Sequence, residues 1–191
     1  MELVFATNNL HKLSEVQNLI GESISVKSLK DIEFSDEIPE DHETLEENAS
    51  QKAFYIYDRF KLDCFADDTG LEIESLDGRP GVYSARYAGP DCSFDDNMDK
   101  VLEEMLGKAN RSARFRTVIS LVVDGEEQRM DGVVCGIILT EKRGRDGFGY
   151  DAIFQPEGYE LSFAEMSLDE KNAISHRAIA TKKLVAHLLA G

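Results

Sequence analysis

The chain is poor in prolines, cysteines and positive charge, and it has no long hydrophobic run. Four prolines and no low-complexity stretch among 191 residues leave no place for a linker. We therefore expect one continuous unit over residues 1–191, long enough to bury a core and form a cleft. Cys64, Cys92 and Cys135 are scattered, odd in number and form no CxxC pair. That excludes a disulfide framework and a cysteine-based zinc site, and it points to a reducing compartment. The longest apolar stretch, residues 133–139, is interrupted by Gly136 and falls far short of the ~20 residues of a membrane span. Residues 1–6 lack the basic flank and apolar core of a signal peptide, so a cytoplasmic protein without membrane partners is expected.

Lys and Arg number 21 against 37 Asp and Glu, for a net charge of −16. Such a surface repels phosphate backbones, which argues against a nucleic-acid partner. It would equally repel a free nucleoside triphosphate unless a cation masked the phosphates. Residues 31–51 hold nine carboxylates and no Lys or Arg, the pattern of a solvated loop and helix start.

What is present alternates between strand and helix signals. Residues 3–6 read as a buried strand, followed by a helix with Leu10, Leu13, Val16 and Ile20 on one face and a stop at Gly21. Thr44-x-x-Glu47 opens a second helix carrying Leu45, Ala49, Ala53, Tyr57 and Phe60. A strand over 63–66, a turn, and the alternating Leu71-Glu72-Ile73-Glu74 come next. Residues 93–106 predict a helix capped by Ser93 and Asp96 and ended by Gly107. Residues 114–123 and 129–139 predict strands joined at Asp124-Gly125, a hairpin turn. Residues 175–189 predict a last helix with Ile179, Val185 and Leu188 inward. The class is α/β with a mixed sheet.

Four segments could carry chemistry. Thr7-Asn8-Asn9-Leu10-His11-Lys12 lies between a strand and a helix, where unpaired N–H groups and a helix dipole suit an anion; plain capping would explain Thr7, Asn8 and Asn9 equally. It lacks the glycines of a P-loop. Asp67-Asp68-Thr69-Gly70, after an apolar strand, offers two carboxylates that diverge, so one can hold a hard hydrated cation while the other braces the chain; an Asp-rich turn is the plainer alternative. In Gly144-Arg145-Asp146-Gly147-Phe148-Gly149-Tyr150-Asp151, glycines admit a flat ligand beside an aromatic ring, or Phe148 simply plugs a core. Glu170-Lys171-Asn172 and Ser175-His176-Arg177 place cations at a helix start, against the dipole, which suggests donors for a ligand if not a solvated helix end.

Taken in order, these segments resemble a known family. Thr7-Asn8-x-x-x-Lys12, Glu40 with Glu47-Asn48-Ala49-x-x-Lys52-Ala53, and Ala66-Asp67-Asp68-Thr69-Gly70-Leu71 are followed by Pro80-Gly81-x-Tyr83-Ser84-Ala85-Arg86-Tyr87, Gly147-Phe148-Gly149-Tyr150-Asp151 and Ser175-His176-Arg177-Ala178. The pattern is similar to that of the inosine/xanthosine triphosphate pyrophosphatases, which remove non-standard purine triphosphates such as ITP, dITP and XTP. The resemblance implies an elongated mixed sheet with flanking helices, two lobes around a central cleft, and a homodimer. It also implies Mg²⁺-dependent cleavage of a purine nucleoside triphosphate to the monophosphate and pyrophosphate. By motif position, Thr7, Asn8, Asn9, Lys12 and Lys52 would hold phosphates. Glu40 and Asp68 would bind Mg²⁺, with Asp68 also the general base. Thr69 would touch the substrate, Phe148 with Gly149 would stack on the base, and Tyr150, Asp151, Lys171, His176 and Arg177 would surround base and sugar. Asp41-His42 after Glu40, where Thr-Gly is usual, and Ala152, where Pro often stands, depart from the pattern without replacing a site residue.

Overall fold

A computed structural model of the chain describes residues 1–20 and 24–190. The strands are β1 (Glu2–Phe5), β2 (Ser25–Lys27), β3 (Cys64–Ile73), β4 (Pro80–Gly81), β5 (Ser112–Val123), β6 (Glu126–Ile138) and β7 (Phe154–Pro156). The helices are α1 (Leu10–Ile20), α2 (Leu45–Phe60), α3 (Phe94–Glu104), α4 (Leu168–Ile174) and α5 (His176–Ala190). Strand neighbours follow the order β2-β1-β3-β5-β6-β7, with β4 beside β3. β1 is parallel to β2 and β3, whereas β4 runs antiparallel to β3 and β7 to β6, so the sheet is mixed.

The chain divides into two compact units. Unit 1 is Met1–Asp68, Thr117–Gly132 and His176–Gly191; unit 2 is Thr69–Arg116 and Val133–Ser175. Three of the four passages from one to the other occur inside β3, β5 and β6.

Unit 1 holds two apolar clusters. In one, Val16 and Ile20 of α1 meet Ala180 and Leu184 of α5 over Leu3, Phe5, Phe65, Ile119 and Leu121. Phe5 and Phe65 stack there at 4.5 Å, within the favourable range for aromatic pairs. In the other, Ala53 and Ile56 of α2 cover Val4, Ala66 and Val122. Unit 2 has its own cluster, in which Met98, Val101 and Met105 pack on Leu71, Ile73, Phe115, Phe154 and Phe163.

Local chemistry explains the element ends. Thr44 accepts from the Glu47 N–H at the start of α2, and Ser93 with Asp96 forms a reciprocal capping box on α3. Asp124 and Gly125 both adopt positive φ, as a two-residue hairpin turn between β5 and β6 requires.

The structure differs from the sequence reading in three places. Leu10 is 76% exposed, and the buried stripe of α1 is Glu15, Val16 and Ile20. The expected stop at Gly21 lies outside the described residues. β3 runs unbroken through Asp67-Asp68-Thr69-Gly70, where a turn was expected, because the polar side chains find partners on both strand faces. On α5 the buried positions are His176, Arg177, Ala178, Ala180, Thr181 and Leu184, with Val185 and Leu188 at the rim. No described helix is long and apolar enough to cross a membrane.

Candidate active site

In unit 1, β1 delivers the chain into the segment before α1, and the side chains there have definite occupations. Asn9 caps α1, its Oδ1 accepting from the N–H groups of His11 at 3.0 Å and Lys12 at 3.2 Å. Thr7 Oγ1 accepts from the Asn9 N–H, and Asn8 Nδ2 donates to the Asp36 carbonyl. Capping therefore accounts for Asn9, whereas the Lys12 side chain leaves the first turn toward β3.

Lys12 Nζ reaches Asp67 Oδ1 at 2.9 Å. Asp67 Oδ2 accepts from Arg177 Nε at 3.1 Å, and Arg177 Nη1 is paired with Glu15. Asp67 and Arg177 are each 1% exposed. Burial pushes the Asp67 pKa up, but Lys12, Arg177 and Lys52 outweigh it and hold the carboxyl well below the usual carboxylate range. Asp67 is thus a buried anion clasped by two cations. Burial lowers the Lys12 pKa, with Asp67 opposing the shift and Lys52 and Arg177 adding to it.

Successive strand residues point to opposite faces, so Asp68 meets a different set. Its Oδ1 lies 3.3 Å from Lys52 Nζ, and its Oδ2 accepts from Asn48 Nδ2 at 3.4 Å. Lys52 also binds Glu40. Burial raises the Asp68 pKa, with Glu40 and Asp67 adding to the rise and Lys52 and Lys12 opposing it. Burial works against the Lys52 charge, yet Asp68, Glu40 and Asp67 together raise its pKa and keep it an ammonium. Asn48 is 1% exposed and also exchanges hydrogen bonds with the backbone of His42, while Asp41 pairs with Gln51. The unusual Asp41-His42 pair is thereby pinned to α2.

Lys12, Lys52 and Arg177 interleave with Glu15, Glu40, Asp67 and Asp68, leaving one negative charge over. The surplus falls on Glu40 and Asp68, two carboxylates sharing one ammonium. This donor set fits a hydrated Mg²⁺, which needs only one or two protein carboxylates when substrate phosphates complete its shell. Among the described residues no three His, Cys, Asp or Glu side chains form an all-protein metal cage.

Unit 2 carries the aromatic segment. Gly147, at φ +79°, has no room for a side chain, since a Cβ would lie 2.2 Å from Asp151 Oδ2. That close approach lets the Asp151 carboxylate accept from the Phe148 N–H at 2.9 Å and from Lys171 Nζ at 2.7 Å. The Lys171 ammonium in turn sits 4.8 Å from the Phe148 ring centre. Phe148 is half-buried and lies outside the apolar cluster of the unit, so it does not plug that core. Tyr150 does belong to it: the ring is 3% exposed and its hydroxyl donates to the Ser84 carbonyl at 2.7 Å. Gly149 has open space on its Cβ side.

The expected site residues therefore fall into two groups. Thr7, Asn8, Asn9, Lys12, Glu40, Lys52, Asp68, His176 and Arg177 belong to unit 1; Thr69, Phe148, Gly149, Tyr150, Asp151 and Lys171 belong to unit 2. His176 and Arg177 are buried at the start of α5, not on a solvated helix end. Three residues of the unit 1 cluster went unassigned by sequence reasoning: Glu15, Asn48 and Asp67. Glu15 stands off the Leu13-Val16-Ile20 face, so helical spacing gave no signal for it; only the fold shows it buried.

Positions 3–187 match the Ham1 family. A dITP/XTP pyrophosphatase from Flavobacterium psychrophilum is 51% identical over 97% of this chain and 97% of its own length. One from Porphyromonas gingivalis is 48% identical over 98% and 97%. The solved structure of a HAM1 protein from Coxiella burnetii superposes with a TM-score of 0.92 at 37% identity over the whole of both chains. That of the Staphylococcus aureus Ham1 protein does so with 0.90 at 36%, covering 100% of this chain and 99% of the other.

Proposed function

Because this chain belongs to the Ham1 family, we propose that it hydrolyses dITP, ITP and XTP between the α and β phosphates, releasing the monophosphate and pyrophosphate. The observation that carries the reading is the split of two adjacent acids, Asp67 clasped by two cations and Asp68 sharing one with Glu40. The names of the relatives supply dITP and XTP, and ITP carries the same base as dITP.

Glu40 and Asp68 would hold Mg²⁺. When bound, the ion masks phosphate charge and supplies polarised water. Asp68, with its pKa raised by burial, is suited to accept a proton from the attacking water. Lys12 and Lys52 face the negative charge that grows on departing pyrophosphate, the electrostatic stabilisation that dominates phosphoryl chemistry. Thr7, Asn8 and Asn9 add donors to the phosphates, and Thr69 touches them from its own strand. Phe148, with open space beside Gly149, is the platform for the base. Asp151 and Lys171 hold that platform, and with Tyr150, His176 and Arg177 they would surround base and sugar. We further propose that residues 1–191 act as a single enzyme domain, in the cytoplasm, as a homodimer and without nucleic acid.

The test is incubation of a triphosphate panel with Mg²⁺ in ¹⁸O-water. The label is expected in the monophosphate, with unlabelled pyrophosphate, and dITP, ITP and XTP are expected to exceed ATP and GTP in kcat/KM. Release of a single phosphate and a nucleoside diphosphate would refute the assignment.

A further inference from the structure

Among the large apolar side chains of unit 2 that lie outside its core, Phe94 meets the ring of Phe148. Phe94, the first residue of α3, is 44% exposed. Its ring centre lies 6.1 Å from that of Phe148 at a tilt of 51°, within the range of a favourable aromatic pair. The backbone beneath Phe94 is fixed, because Ser93 and Asp96 close a reciprocal capping box around it.

The first two turns of α3 also hold Lys142, just before the glycine-rich segment. Lys142 Nζ lies 2.9 Å from Asp95 Oδ1 and 2.7 Å from Asp99 Oδ1. The root of the segment is tied elsewhere, by the Arg143 N–H to the Ala152 carbonyl and the Asp146 N–H to the Ala164 carbonyl. The Phe148 ring therefore has Lys171 over it, Asp151 on its backbone and Phe94 beside it. Lys171 and Asp151 fix where the residue sits. Phe94 is placed beside the ring, where it limits the tilt.

We propose that Phe94 and Lys142 are positioning residues for the nucleobase: the first turn of α3 presets the Phe148 ring at the angle on which a purine stacks. This rests on Phe148 being the base platform. A ring already held loses less freedom on binding, so the gain appears as affinity and not as a faster chemical step.

The test is steady-state pyrophosphate release from dITP with Mg²⁺ by full-length Phe94→Ala, Phe94→Tyr, Phe148→Ala, Lys142→Met and the double Phe94→Ala/Phe148→Ala, each with its Tm. For Phe94→Ala we expect KM to rise about two- to twelve-fold, the worth of an aromatic pair, with kcat within about twofold of wild type. Phe94→Tyr keeps the ring and should retain the wild-type KM. Lys142→Met should raise KM in the same direction but less, since exposed ion pairs are weak. The double variant should be no worse than Phe148→Ala, because Phe94 acts through that ring. If Phe148→Ala raises KM and Phe94→Ala does not, the positioning role is wrong and the platform stands. An unchanged KM in Phe148→Ala overturns the platform and this inference with it. A Phe94→Ala protein with lower kcat and Tm but the wild-type KM makes the residue merely structural and also overturns the inference, as does a further KM increase in the double variant.

Discussion

The two neighbouring acids of β3 should respond oppositely to the same substitution. In Asp67→Asn the amide replaces a carboxylate whose oxygens meet Lys12 and Arg177. Arg177 would retain Glu15, but Lys12 would lose its carboxylate partner inside the protein. Breaking a buried ion pair by removing one partner costs about 3–5 kcal/mol. For a chain of this size each 1 kcal/mol moves Tm by about 2–4 °C, so Asp67→Asn should fall by about 6–20 °C. Asp68→Asn removes one of two carboxylates from Lys52, which keeps Glu40. Its Tm should move by less than about 5 °C. Its kcat should fall about 10²–10⁴-fold, the usual worth of a general base. The assay is thermal unfolding without nucleotide or metal, which would otherwise stabilise the folded state, together with pyrophosphate release under saturating dITP. Equal Tm losses in the two variants would refute the division into a bracing and a working carboxylate. So would an Asp68→Asn enzyme that keeps more than about a tenth of wild-type kcat.

Three further outcomes follow from the geometry. Burial pushes the Cys64 thiol up to about 12 and its Sγ–H donates to the Ala53 carbonyl, so only about one in 10⁴ is thiolate at pH 8; a thiol reagent should modify exposed Cys135 at once and Cys64 only after unfolding, and rapid native labelling of Cys64 would contradict its placement. Gly132→Ala would put a Cβ 2.0 Å from the His176 carbonyl oxygen and 2.7 Å from the Ala180 nitrogen, so it should lower Tm by several degrees and depress kcat/KM; wild-type values would show that α5 can move away freely. A chelator should abolish turnover and Mg²⁺ restore it, and Mg²⁺ should raise the Tm of wild type but not of Glu40→Gln; the same rise in both proteins would place the ion elsewhere.

Most helices were legible because their signals are local. The Thr44 and Ser93 caps and the Asp124-Gly125 turn depend on neighbours in sequence, and the structure has all three. β2, β4 and β7 span three residues or fewer, too short for any periodicity to show. Asp67-Asp68-Thr69-Gly70 has the composition of a turn, yet contacts with Lys12 and Arg177 on one face and Lys52 and Asn48 on the other favour a strand. The partners of Arg177 are 110 and 162 positions away, beyond the reach of spacing arguments. The motif order could single out Arg177, but only the fold shows that its guanidinium meets Asp67 and Glu15.

The charge pattern also explains why an acidic chain should use acids to handle an acidic substrate. Around Asp67 each carboxylate oxygen has its own cation, so the charge there is matched and a further cation would gain little. At Glu40 and Asp68 one ammonium serves two carboxylates: Lys52 on α2 meets Asp68 on β3 and Glu40 in the segment before α2. A divalent ion placed there would meet uncompensated charge on ligands already converged, avoiding much of the ordering entropy that a mobile pair would lose. It would also draw Asp68 and Glu40 away from Lys52, whose ammonium could then turn to phosphate. Without the ion, the surplus carboxylate repels a triphosphate. With it, the same carboxylates recruit the cation that attracts one.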